Sequence, residues 1–141
     1  MESITSFTYL RSKLTEWKAN DMLQPTAELT WERFQEKAIT TVMPVLAELQ
    51  AVLESEGLEV SITELEEDTQ SLGLYVNDYD IGLFFSPADE AMSLRFTARR
   101  LTGEELGYEA RIPYPQVTVK SLRTLVEEAL LRLLGPRRSN N

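Results

Sequence analysis

The chain contains no cysteine and no histidine. Without cysteine there is no disulfide framework and no thiolate nucleophile, and without either residue a zinc site of the usual kind cannot form. A Ser-His-Asp triad and any histidine acid–base pair are excluded as well. Neither a P-loop nor a dinucleotide-binding glycine pattern occurs. No apolar run approaches the roughly 20 residues that a membrane-crossing helix needs. The start, Met1-Glu2-Ser3-Ile4, lacks the basic-then-apolar pattern of a secretory signal. These gaps point to the cytoplasm, to no membrane partner, and to a protein that is not an enzyme and needs no metal or cofactor.

Base is missing too, but only locally. The 141 residues carry a formal net charge of −9. Residues 1–53 are close to balanced, at −2. Residues 54–90 hold eleven acids and no base, whereas residues 91–141 hold nine bases and five acids. Such asymmetry bears on partners and solubility rather than on fold. The length suits one domain, assigned to residues 1–136, with 137–141 as a flexible tail. At this size a folded chain buries roughly 70% of its unfolded surface, so a single apolar core is feasible.

Apolar spacing predicts the elements. Phe7, Leu10, Leu14 and Trp17 mark an amphipathic helix over residues 4–19. A longer helix is predicted over 31–55, capped by Thr30, with Pro44 causing a kink or break near residues 40–44. Trp17, Trp31 and Phe34 are expected in the core, with docking of the first helix on a partner as the alternative for that helix. From residue 58 the period becomes two. Five strands follow, centred on Leu58–Ile62, Leu72–Val76, Ile81–Phe85, Met92–Ala98 and Tyr108–Ile112, each with one apolar face. Short connectors imply consecutive antiparallel pairing. A last helix spans 119–134, capped by Thr118 and stopped by Gly135-Pro136. The expected fold is α+β: a two-layer sandwich in the order α-α-β-β-β-β-β-α, with the helices on one face of a five-stranded meander.

That arrangement sends a distinctive set of side chains to the other face. Tyr75 and Phe84 fall on the middle strands, Arg95, Thr97 and Arg99 on the fourth, and Arg111 on the fifth. Gly73 and Gly82 leave the surface low around the aromatics. Aromatic and arginine side chains are enriched at protein interfaces. The same mixture stacks single-stranded bases, and cross-strand packing of Tyr75 on Phe84 is the plain structural alternative.

Glu64, Glu66, Glu67 and Asp68 form an acidic run that lacks the ordered ligands and glycine of a calcium loop, so a solvated acidic surface is expected there. Asp78 and Asp80 flank Tyr79 and fit a hairpin turn better than a metal pair. The basic pairs Arg99-Arg100 and Arg137-Arg138 read as surface residues. The expectation is thus a small acidic interaction module, such as an adaptor, a chaperone-like factor or an inhibitor. Another protein is the expected partner. A homodimer is an alternative, suggested by the wide leucine stripe at 130–134, and an anionic ligand or single-stranded nucleic acid on the aromatic and arginine face is the other.

Overall fold

The structure, a computed structural model, describes residues 6–103 and 107–136. The predicted tail, Arg137-Arg138 and part of the connector at 102–105 lie outside the described residues. Four α-helical segments and five strands follow one another: α1 (Thr8–Ala19), α2 (Thr26–Lys37), α3 (Met43–Ser55), β1 (Val60–Ile62), β2 (Leu72–Val76), β3 (Ile81–Ala88), β4 (Ser93–Arg100), β5 (Tyr108–Pro113) and α4 (Val119–Leu134). A five-residue π-helical turn, Ala38–Val42, joins α2 directly to α3, so the two form one interrupted helix.

That interruption has two causes pointing the same way. Pro44 offers no backbone donor, and its ring would crowd the carbonyl four residues back in a regular helix. The buried positions Phe34, Ala38, Val42, Leu46 and Leu53 also recur at about 3.8 residues per turn, slightly longer than the α-helical 3.6, and one wide turn brings the stripe back into phase. The upstream boundary differs from the sequence expectation. Helix α2 starts at Thr26 behind Pro25 rather than at residue 31. Thr30 is therefore not a cap: its hydroxyl lies inside the helix and donates to Thr26 O at 2.8 Å. The proline supplies a pre-set φ of −66° at the helix entrance, and Glu28 in the first turn suits the dipole.

The strands form one antiparallel sheet in the order β1-β2-β3-β4-β5. In register, Leu72 pairs with Phe85, Phe85 with Phe96 and Phe96 with Ala110, while Leu74, Leu83, Ala98 and Tyr108 form the next row. These rows make one face apolar. They join Phe34, Val42, Val45 and Leu46 from the N-terminal helix pair and Leu122, Val126 and Ala129 from α4 in one core. Met92, expected on this inward face, is instead 65% exposed. It sits in the β3–β4 turn behind Asp89 and Glu90, both at positive φ, and the strand begins one residue later. Helix α4 carries the predicted cap: Ser121 N donates to Thr118 Oγ1 at 3.1 Å and Thr118 N donates to Ser121 Oγ at 2.9 Å.

The three N-terminal aromatics separate. Phe34 is fully buried and Trp31 is half-buried against the core, but Trp17 is 37% exposed, and α1 has no buried residue at all. The amphipathic pattern of α1 is real, yet among the described residues its apolar stripe meets no core. No helix among the described residues is long and apolar enough to cross a membrane.

Candidate functional site

The register assembles the outer sheet face residue by residue. Gly73 pairs with Phe84 and Phe84 with Thr97; Tyr75 pairs with Gly82 and Gly82 with Arg99; Ser86 pairs with Arg95 and Arg95 with Arg111. All five side chains singled out from the sequence, Tyr75, Phe84, Arg95, Arg99 and Arg111, therefore share this face. Tyr75 and Phe84 meet edge to face, ring centroids 5.5 Å apart at 78°. The Arg99 guanidinium lies 5.9 Å from the Phe84 centroid, within cation–π range. Phe84 can lie this low because its neighbours are glycines: a Cβ on Gly82 would fall 2.6 Å from the ring. Phe84, Ser86, Arg95, Thr97, Arg99 and Glu109 line an open depression of about 760 Å³.

Two carboxylates that sequence reasoning missed change the electrostatics. Arg95 Nε lies 3.2 Å from Glu109 Oε1, and Arg111 Nη1 lies 3.2 Å from Asp89 Oδ1. Glu109 was findable, since it stands two residues from Arg111 on the same face of β5. Asp89 was not, because it is brought in by a tight turn at φ 50°. All four partners are about half exposed, so each pair is worth at most about 1 kcal/mol. Their larger effect is to neutralise two of the three arginines and fix their direction. The face is mixed in charge rather than cationic.

The acidic residues go elsewhere. Glu64, Glu66, Glu67 and Asp68 are exposed in the connection between β1 and β2, which is closed by Gln70 N donating to Glu66 O at 2.9 Å. Among the described residues no three His, Cys, Asp or Glu side chains converge closely enough to hold a metal ion. Asp78 and Asp80 belong to the β2–β3 turn. Asp80 takes the left-handed conformation at φ 56°, and its carbonyl accepts from Leu101 N at 2.8 Å. Arg100 braces this turn, donating to Tyr79 O at 3.1 Å and to Leu133 O at 2.6 Å. The consecutive arginines 99 and 100 thus serve opposite faces of the sheet.

The helical layer carries a second surface. Helices α3 and α4 border an apolar groove of about 660 Å³, lined by Val45, Leu49, Val52, Val126, Leu130, Leu131 and Leu134 with Glu48, Arg123 and Glu127 beside them. Arg123 holds Glu48 at 2.7 Å across the groove. Leu131 is 65% and Val52 54% exposed, so the leucine stripe noted in the sequence is wider than the sheet requires.

One buried polar group stands apart from both surfaces. The Tyr114 hydroxyl has no hydrogen-bond partner in this structure. Burial pushes its pKa up to about 12, opposed by the positive charge of Arg33. Compared with known proteins, the chain matches no family model, no curated protein and no solved structure at a significant level.

Proposed function

We propose that the protein is a non-catalytic interaction module that binds another protein through the outer face of its sheet. The observation that carries this reading is the pairing of Arg95 with Glu109 and Arg111 with Asp89 around the Tyr75–Phe84 centre. An aromatic centre framed by oriented charges of both signs has the anatomy of a protein contact surface. Electrostatic complementarity would then select the partner and set the rate of encounter. A site for a polyanion needs uncompensated positive charge, because its affinity comes from neutralising phosphates. Neutralised arginines therefore weigh against nucleic acid. The missing cysteine and histidine support the non-catalytic part of the reading.

The test is affinity capture from the source lysate, comparing the natural chain with the Arg95→Glu, Arg99→Glu double variant. The expected result is one set of proteins retained by the natural chain and lost by the variant, with the melting temperature within about 3 °C, since exposed pairs contribute little. Identical capture by both chains overturns the assignment of this face. A labelled oligothymidylate titrated at two salt concentrations serves as the counter-test. Salt-sensitive binding to the natural chain would move the reading to a nucleic-acid binder.

A further inference from the structure

We propose that two copies of this chain associate by docking helix α1 of each in the α3–α4 groove of the other. This contact lies apart from the outer sheet face. Two apolar surfaces of the molecule are exposed. Helix α1 presents Leu10 (48% exposed), Leu14 (41%) and Trp17 as one stripe, with the exposed Phe7 at its N-cap in the left-handed conformation. A 12-residue helix is at the lower limit of what persists alone in water, so such a helix needs its apolar face covered. The groove is the matching apolar concavity, and no α1 residue lines it.

Size and charge agree. The α1 stripe from Leu10 to Trp17 runs about 11 Å, within the α4 wall of about 16 Å from Arg123 to Leu134. Helix α1 carries Arg11, Lys13 and Lys18 against Glu16, for a net charge of +2, whereas the groove is lined by Glu48 and Glu127 against one base, Arg123. A basic amphipathic helix therefore meets an apolar groove whose lining carries a net charge of −1.

Connectivity favours a second copy over the chain's own groove. Helix α1 is attached at Thr26, about 28 Å along the helix from Val45. Met22 N donates to Trp17 O at 2.7 Å, and Gln24 bonds Glu32, so the connection is folded back against both helices. Fully extended, residues 20–25 span only about 24 Å, short of the distance to Val45, and extending them would break these bonds. The groove of a second molecule receives α1 as it stands.

The test is light scattering and sedimentation of the full chain from 2 to 200 µM. The expected species is a dimer of the 16.1 kDa chain. Leu14→Glu on the helix and Leu131→Glu in the groove should each weaken dimerisation at least 100-fold. Both positions are exposed, so each variant should keep the circular dichroism spectrum of the natural chain. Because the chain has no cysteine, Leu14→Cys and Leu131→Cys variants can be mixed and oxidised, and a 14–131 cross-link between different copies is expected. A natural chain that stays monomeric at 200 µM overturns the proposal. So does a dimer that Leu14→Glu leaves intact, or a mixture in which the 14–131 cross-link fails to form.

Discussion

Gly73 and Gly82 lie under the same aromatic ring, and replacing each by alanine should have different consequences. A Cβ on Gly73 would stand 2.4 Å from Leu83 O and 3.0 Å from Phe84 Cδ1. The first contact is with the backbone of the paired strand, so no change of rotamer relieves it, and β2 and β3 must part locally. Overpacking of this kind costs about 1–3 kcal/mol, and loosening the adjacent ladder bonds adds about 1 kcal/mol. A Cβ on Gly82 would meet Phe84 Cζ at 2.6 Å and Cε2 at 2.7 Å, with Leu101 Cδ2 at 3.3 Å. Those atoms are the tip of a partly buried side chain on the solvent face of the sheet that can swing outward.

For Gly82→Ala the lost ring packing, about 1–1.5 kcal/mol, is partly offset by about 0.5–1 kcal/mol from restricting the unfolded chain. We therefore expect Gly73→Ala to lose about 3 kcal/mol and Gly82→Ala less than about 1 kcal/mol. In urea, with a slope near 1.5–2 kcal/mol/M, the first variant's midpoint should fall by about 1.5–2 M and the second's by less than about 0.6 M. Gly82→Ala should nonetheless change the near-ultraviolet circular dichroism from the Tyr75–Phe84 pair, because the ring has moved. Equal losses in the two variants would refute the distinction between a backbone and a side-chain clash. A Gly73→Ala midpoint within 0.3 M of the natural chain, on the order of 0.5 kcal/mol, would refute the close strand approach itself.

Thr118→Ala should cost about 1 kcal/mol by removing the capping box of α4, and Thr118→Ser should restore most of it, as read from thermal melts. Tyr114→Phe should leave stability unchanged or raise it slightly at pH 7, because the hydroxyl it removes is buried without a partner. The same variant should flatten part of the alkaline stability profile. Unfolded tyrosine ionises near pH 10, whereas Tyr114 in the fold holds its proton to about 12. Its contribution is therefore complete below pH 10 and is lost as the pH rises to 12, and the difference between natural and variant curves isolates it. Pro44→Ala should raise the melting temperature by about 2–4 °C, since Pro44 is exposed and the substitution returns one backbone donor to the helix.

The sheet was readable in the sequence because burial on one face imposes a period of two. Leu74, Leu83 and Ala98 could hardly sit anywhere but in one row once the connectors were short. The outer face followed by alternation, which is why Tyr75, Phe84, Arg95, Arg99 and Arg111 came out together. Features set by single residues in turns did not follow. Met92 continues the alternating pattern of β4, yet positive φ at Asp89 and Glu90 ends the turn beyond it. Asp89 reaches Arg111 through that same turn. At the start of α2, Thr30 has the side chain of a cap, but Pro25 already supplies the helical φ and the helix begins before Thr30 is reached. The pattern of α1 shows that the helix has a face to bury; it holds no information about which molecule buries it.

Charge layout is where sequence order and space coincide most directly. In a meander ordered β1 to β5, a gradient along the chain becomes a gradient across the sheet. Neighbouring strands lie about 4.8 Å apart, so β1 and β5 are separated by about 19 Å, more than twice the screening length of about 8 Å in physiological salt. The β1 side carries Glu59, Glu64, Glu66, Glu67 and Asp68 with no base, and the β4–β5 side carries Arg95, Arg99, Arg100 and Arg111. A partner at one edge therefore feels little of the other. The acids of the β1 side add up in solvent, whereas Arg95 and Arg111 are each answered by a carboxylate within 3.2 Å and Arg100 is turned to backbone carbonyls. Five uncompensated acids of a chain with net charge −9 thus gather at one edge of the sheet, and the face around Phe84 is close to neutral but strongly oriented. Such a face selects a partner by the placement of its charges rather than by their sum.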